Sequence, residues 1–143
     1  MAIAKVLLVD DEVAFIETMK KRLEKRKLEI IAAYSGQEAL NQLASHSSME
    51  VVILDVKMPG MDGIETLRRI KAEFPLVEVI MLTGHATIET GIEGMKLGAF
   101  DYLMKPCEMD VLLRKVEDAA SKKRSHEEKI LEARMKEIIG RRA

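Results

Sequence analysis

The chain has 143 residues, with 23 basic and 24 acidic side chains, a formal charge of −1 and one cysteine, Cys107. This length allows one ordinary domain with a hydrophobic core and an appendage, and the balanced charge excludes a general electrostatic attraction to nucleic acid or to a membrane. A single cysteine excludes an internal disulfide and is consistent with a reducing cytosol. The first apolar segment is too short for a signal peptide or a spanning helix, so we expect a cytoplasmic protein.

Short apolar, β-branched runs alternate along the chain with longer segments of helical periodicity. The predicted strands cover residues 5–9, 30–33, 51–54, 77–82 and 100–104. The predicted helices cover residues 13–25, 36–44, 62–73 and 88–97, and a fifth helix begins near Glu108.

The predicted strands are apolar on both faces, which is typical of a parallel sheet that helices cover on each side. Right-handed crossovers between parallel strands place the intervening helices on both surfaces. We therefore predict an α/β fold, a doubly wound five-stranded parallel sheet with an extended C-terminal helix. Ligands of such folds bind in a crevice at the carboxyl ends of the strands.

Polar side chains follow four of the five predicted strands, at the point where each strand ends. Asp10 and Asp11 follow the first strand and Asp55 follows the third, while Thr83 and Lys105 follow the fourth and fifth. Because the carboxyl ends of parallel strands meet at one edge of the sheet, we expect these five side chains to form one site. Unrelated loops would not be expected to supply three acids, a hydroxyl and an ammonium group at corresponding ends.

The three carboxylates would repel one another by roughly 4 kcal/mol for each close pair at an effective dielectric constant near 20. A hard divalent cation relieves this repulsion, and Mg²⁺ fits well because it needs only one or two carboxylates and a phosphate oxygen. An aspartate carboxylate can form an acyl phosphate, while a metal ion and a lysine neutralise the transferring phosphoryl group. Asp55 is the predicted nucleophile because its strand is central, and Asp10 and Asp11 are the predicted metal ligands.

The sequence resembles the receiver domains of two-component response regulators. The matching segments are VLLVDDE, VVILDVKMPGMDGIETLRRIK, VIMLTGHA and GAFDYLMKP, in family order and spacing over about residues 4–120. The resemblance implies a flavodoxin-like fold with strand order 2-1-3-4-5. It further implies a bacterial phosphorelay protein in which Asp55 takes a phosphoryl group from a histidine kinase, a phosphotransfer protein or a small phosphodonor. Such a domain is a signalling phosphoacceptor that at most catalyses its own phosphorylation and dephosphorylation.

The same resemblance assigns roles to individual residues. It implies that Asp11 binds Mg²⁺ directly with help from Asp10, and that the backbone carbonyl of Lys57 completes the protein ligands. Thr83 and Lys105 then hold the phosphoryl oxygens. Tyr102 is implied as the aromatic residue that turns inward on activation, so that the surface of the fourth helix, fifth strand and fifth helix switches.

The C-terminal segment is strongly charged, with apolar residues at helical spacing. We predict a receiver domain over residues 1–121 and a charged amphipathic helix or linker over residues 122–143. This segment could prolong the fifth helix and pair with another copy, dock on its own domain, or lead to an output module. We expect the basic residues 122–124 to be a solvated face, with no direct nucleic-acid contact and no membrane contact.

Two other functions remain open from the residues. A metal-dependent phosphatase with an aspartyl nucleophile usually has a second acid shortly after the nucleophile, and Lys57 occupies that position. A receiver-like scaffold without phosphorylation would not need the intact set of three acids, Thr83 and Lys105. Lys57 and His85 are expected to be solvated loop residues, and Cys107 is expected to pack as a small apolar side chain rather than act as a reactive thiol.

Overall fold

The computed structural model describes residues 3–84 and 87–142. The elements in chain order are β1 Ala4–Val9, α1 Val13–Glu24, β2 Leu28–Ala33, α2 Gly36–Ser45, β3 Val51–Leu54, α3 Gly63–Glu73, β4 Glu78–Thr83, α4 Ile88–Lys96, β5 Asp101–Met104 and α5 Met109–Arg142. Every predicted strand and helix is present, with bounds that differ by at most two residues. The largest difference is in β2, which begins earlier because the buried Leu28 pairs with Ala4 at the start of β1.

The five strands form one parallel sheet in the order β2-β1-β3-β4-β5. This order confirms the doubly wound, flavodoxin-like topology. Successive residues of a strand point to opposite faces of the sheet. Leu7 and Val9 accordingly pack with side chains of α2 and α3, whereas Val6 and Leu8 pack with side chains of α1 and α5. The sheet is therefore covered on both faces, and the polar residues at the carboxyl ends of its strands lie at the edge where the site forms.

Helix α5 is a single continuous helix of 34 residues, about 51 Å long at 1.5 Å per residue. Its first part buries Leu112, Val116, Ala119 and Ala120 at the spacing of one helical face. The C-terminal segment thus prolongs the fifth helix, and its pairing with another copy stays a prediction. Residues 124–141 are exposed along this helix, and they carry an apolar stripe of Ile130, Leu131, Met135, Ile138 and Ile139.

The basic residues at the start of this segment form the expected solvated face only in part, since two of them are about half exposed but also pair with acids of the domain. Lys122 lies 3.2 Å from Glu78, a carboxylate at the start of β4 that is only 3% exposed. Lys71 of α3 lies 3.2 Å from the other oxygen of the same carboxylate. Arg124 pairs with Glu50, which precedes β3. Sequence reasoning missed these pairs because their acidic partners lie far away in the chain.

No helix within residues 3–84 and 87–142 combines the length and the apolar composition needed to cross a lipid bilayer.

Candidate functional site

The three acids predicted from the strand ends come together at the carboxyl edge of the sheet. β1 and β3 are neighbours with Val9 opposite Leu54, and the Asp55 amide continues the ladder by donating a hydrogen bond of 3.0 Å to the Val9 carbonyl. This register places Asp10 and Asp55 side by side. One carboxylate oxygen from each of Asp10, Asp11 and Asp55 lies within 4.8 Å of the other two.

The environment of Asp55 is unfavourable to a negative charge. The side chain is 3% exposed, and Asp10 beside it is 1% exposed. Burial raises the pKa of Asp55 above its ordinary value of 3.8, and the charge of Asp10 adds to this increase. The hydrogen bond from the Thr83 hydroxyl, the positive charge of Lys105 and the hydrogen bond from the Val56 amide oppose this increase without cancelling it. The charged form of Asp55 therefore needs a further positive partner.

A divalent cation fits this cluster. Oxygen ligands are the type that Mg²⁺ prefers, at about 2.1 Å from the ion, so two ligands of one ion lie at most about 4.2 Å apart. The carboxylate oxygens of Asp10, Asp11 and Asp55 need to close only slightly from their separations of up to 4.8 Å. Asp11 is exposed, which leaves an open side for water and for an incoming group.

Lys105 provides a positive charge at the same edge. Its ammonium group donates a hydrogen bond of 2.5 Å to Asp10 Oδ2 and lies 3.7 Å from Glu12 Oε1. The ammonium group also lies 3.9 Å from the centroid of the Phe15 ring. The backbone amide of Lys105 donates a hydrogen bond of 2.9 Å to the Thr83 carbonyl. The end of β4 therefore fixes the backbone at Lys105. The peptide bond between Lys105 and Pro106 is cis.

Thr83 and Tyr102, the predicted switch residues, lie in β4 and β5. Thr83 is the last residue of β4, is fully buried and donates its hydroxyl hydrogen bond to Asp55. The Tyr102 hydroxyl lies 2.7 Å from the Thr90 hydroxyl of α4. A methyl group added at Gly91 or Gly94 would lie 3.9 or 3.7 Å from the Tyr102 ring. The ring thus packs closely along the glycine-containing side of α4.

The first residue of α3, Gly63, has an importance that the sequence did not reveal. A side chain at Gly63 would place its Cβ 2.1 Å from the Asp55 carbonyl oxygen and 2.5 Å from the Val56 Cα. The Gly63 amide donates a hydrogen bond of 2.7 Å to the Val56 carbonyl. Asp62 caps α3 by accepting a hydrogen bond from the Glu65 amide. Gly63 allows α3 to begin against the backbone of Asp55.

The remaining predicted residues have simpler positions. Lys57 is exposed two residues after Asp55 and lines a groove of about 550 Å³ between the β3–α3 loop and the start of α4. His85 lies outside the described residues. Cys107 packs against the core that contains α1 and α5, and burial raises the pKa of its thiol. That increase opposes thiolate formation and agrees with the predicted packing role.

The chain belongs to the response regulator receiver domain family, whose model matches residues 6–117. The transcriptional regulatory protein ZraR of Salmonella typhimurium is 38% identical over 114 residues, which are 80% of this chain and 26% of ZraR. The DNA-binding transcriptional regulator NtrC of Escherichia coli is 35% identical over 116 residues, 81% of this chain and 24% of NtrC. A crystal structure of a receiver domain protein from Clostridium thermocellum is 38% identical, with a TM-score of 0.81 over 85% of this chain and 97% of that chain.

The chain spans only about a quarter of the length of these two curated relatives. Both carry names of transcriptional regulators, and NtrC is described as DNA-binding. The expectation that the protein makes no nucleic-acid contact therefore finds no support in its relatives.

Proposed function

We propose that Asp55 is the phosphoacceptor of a two-component response regulator. The observation that carries this proposal is the burial of Asp55 within 4.8 Å of two other carboxylates, with the ammonium group of Lys105 on Asp10. Burial raises the pKa of a carboxyl group. The buried carboxylate is therefore more basic and more nucleophilic than a well-solvated one. Such a group is suited to attack an electrophilic phosphorus atom once a cation holds it in its charged form.

The transfer forms one bond and breaks one bond at phosphorus. A carboxylate oxygen of Asp55 attacks, and the bond from phosphorus to the nitrogen of a phosphohistidine breaks, with the electron pair leaving on the imidazole, which then takes a proton from solvent. With a small acyl phosphate donor the breaking bond runs from phosphorus to oxygen instead. Hydrolysis by water later returns the Asp55 carboxylate and releases inorganic phosphate.

The other site residues hold the reacting groups. Asp10, Asp11, Asp55 and the backbone carbonyl of Lys57 would hold Mg²⁺, which when bound neutralises charge on the phosphoryl oxygens. Lys105 and Thr83 then bind oxygens of the phosphoryl group, with charge-assisted hydrogen bonds that strengthen as negative charge develops.

The phosphoryl group also changes the surface of the domain. It adds roughly two negative charges and three acceptor oxygens, so Thr83 gains a new partner and Tyr102 turns inward. The affected surface consists of α4, β5 and α5. Its exposed apolar residues are Ile88, Ile92, Met95, Met104 and Val111. This surface regulates a partner or an output module.

The partners follow from this chemistry. A histidine kinase or a phosphotransfer protein donates the phosphoryl group in the cytoplasm, and the α4-β5-α5 surface or the stripe on α5 pairs two copies of the protein. Residues 1–121 act as the receiver, and residues 122–143 act as a helical connector that Arg124 anchors. The domain is a signalling phosphoacceptor rather than a phosphatase, since Lys57 occupies the position of the second acid that such an enzyme needs.

The experiment is to mix the protein with Mg²⁺ and acetyl phosphate or phosphoramidate and to follow the intact mass. We expect one phosphoryl adduct per chain in the wild type and none in Asp55→Asn. Multiple turnover of phosphate esters would favour the phosphatase, and an unmodified wild type in the presence of both reagents would contradict phosphoacceptance.

A further inference from the structure

The aromatic ring of Phe15 lies under the Lys105 ammonium group at the site edge. The distance of 3.9 Å from Nζ to the ring centroid is well inside the limit of about 6 Å for a cation–π interaction. Phe15 lies in the first turn of α1, three residues after Glu12, and packs against the core formed by α1 and α5. Its ring is therefore held from below by the core and faces the ammonium group from above.

The groove beside this contact is mainly apolar but includes one further cation. Its volume is about 330 Å³, and the residues that line it are Phe15, Met19, Arg22, Leu82, Lys105, Pro106 and Cys107. The Lys105 side chain is only 16% exposed, so water has limited access to the ammonium group from this side. Desolvation strengthens a cation–π contact, and the low exposure of the Lys105 side chain provides part of it.

The hydrogen bonds of the Lys105 ammonium group suggest a specific role for the Phe15 ring. An ammonium group has three donors, and the donor that is bonded to Asp10 is not available to a phosphoryl oxygen. The ring face attracts the charge without accepting any one donor directionally, so it holds the ammonium group while the hydrogen bonds change. A carboxylate in the same position would compete with the phosphoryl oxygens.

We propose that Phe15 is a positioning residue, whose ring keeps the Lys105 ammonium group at the site edge while that group changes its partner from Asp10 to the phosphoryl group on Asp55. The inference rests on the proposed function of Asp55. It concerns how Lys105 is kept in place. The contacts of Lys105 with Asp10 and Glu12 do not explain why an aromatic ring lies beneath its ammonium group. Removal of the ring's negative face, with its shape retained, is then expected to slow phosphorylation.

The test uses fluorinated phenylalanines incorporated at residue 15, since fluorine withdraws electron density from the ring face and changes its volume little. Phe100 is the matched control, because Lys122 lies over its ring at 5.7 Å, a longer contact that belongs to a different lysine. The first readout is the initial rate of adduct formation with acetyl phosphate and Mg²⁺. We expect a stepwise decrease with added fluorines at residue 15, to a total of about 3- to 10-fold, and no trend at residue 100.

A second readout does not depend on phosphorylation. The unfolding midpoint in urea is measured without Mg²⁺ and without donor, for each fluorinated ring with Lys105 and with Lys105→Met. We expect the midpoint to fall with fluorination when Lys105 is present and to stay constant in Lys105→Met. A trend that persists in Lys105→Met, or no trend with Lys105, would overturn the proposal. If no adduct forms in any variant while the midpoints follow the expected pattern, the proposed function fails and the contact between Phe15 and Lys105 stands.

Discussion

The Lys105 ammonium group donates a hydrogen bond of 2.5 Å to Asp10, although 95 residues separate the two in the chain. The contact joins the ends of β1 and β5, which do not neighbour each other in the sheet. The positive charge of Lys105 thereby compensates the negative charge of one of the three clustered acids. Asp55 keeps a raised pKa even so, and the first prediction follows from this imbalance.

Asp55→Asn is expected to stabilise the protein at neutral pH without Mg²⁺, by on the order of 1 kcal/mol. The pKa of the Asp55 carboxyl is raised in the folded state, so the folded state holds its proton at pH values where the unfolded chain has lost it. The free energy of unfolding therefore falls as the pH rises from the ordinary value of 3.8 through the raised folded value. Urea unfolding from pH 4 to pH 8 should show this decline in the wild type and a smaller one in Asp55→Asn. A wild type that gains stability relative to Asp55→Asn over this range would contradict the prediction.

Gly63→Ala is expected to destabilise the protein by about 2–4 kcal/mol, because its Cβ would overlap backbone atoms of Asp55 and Val56 that cannot move aside without distorting the site. Gly140→Ala is the control, since an added Cβ there meets open space within α5. That variant should gain up to about 1 kcal/mol from helix propensity. Urea unfolding measures both changes. Equal stability of Gly63→Ala and the wild type would show that α3 does not need this close approach.

Arg124→Ala is expected to lower the free energy of unfolding by about 1 kcal/mol at pH 7. Arg124 donates hydrogen bonds of 2.6 and 2.9 Å to the two oxygens of Glu50 and one of 2.8 Å to the Ile3 carbonyl. Burial tends to raise the pKa of Glu50, but the bonds from Arg124 and the Lys5 amide hold that pKa below its ordinary value of 4.5.

The sign of the pH dependence follows from the lowered pKa. The stabilisation by Glu50 is present above its ordinary pKa and is lost as the pH falls through the lower folded value. The difference between the wild type and Arg124→Ala should accordingly shrink in acid. Lys136→Ala, at an exposed position of the same helix, serves as the control and should change stability by less than about 0.5 kcal/mol. A difference that grows below pH 4.5 would refute the assignment.

Tyr102→Phe and Thr90→Val are each expected to cost about 0.5–1.5 kcal/mol, because each removes one partner of a partly buried hydroxyl pair. Their effects should not add in the double variant, since both break the same contact. Thr90 also completes the capping box at the start of α4 with Thr87, so amide hydrogen exchange in the first turn of α4 should accelerate in Thr90→Val. Tyr34→Phe, at an exposed tyrosine, should change neither quantity. Simple additivity of the two losses would show that the hydroxyls act independently.

The sequence predicted the sheet because each strand is a short apolar run and parallel topology determines where its end lies. Asp10, Asp11 and Asp55 could be brought together on that basis alone, since neighbouring parallel strands end at one edge. The contacts of Gly63 and Phe15 could not be predicted, because they depend on how closely one element approaches another. A glycine in a turn and an apolar residue on a helix have the same local pattern whether or not they touch the site.

The ion pairs of α5 were missed for a related reason. Arg124 and Glu50 are 74 residues apart, and a run of basic residues has the same appearance in a solvated helix and in one that packs against acids. The buried Glu78 also gave no local signal, since its two lysines come from α3 and α5. Such pairs depend on the direction of a helix relative to the sheet. The local periodicity of a sequence does not specify this direction.

Reductive trapping tests the central claim most directly. The protein is incubated with Mg²⁺ and acetyl phosphate and then treated with borohydride, which reduces an aspartyl phosphate to homoserine. Peptide mass spectrometry then locates the reduced residue. We predict homoserine at residue 55 alone, only in samples that contained both the donor and Mg²⁺. Homoserine at residue 10 or 11, or none at residue 55 in a sample that bears a phosphoryl adduct, would contradict the account.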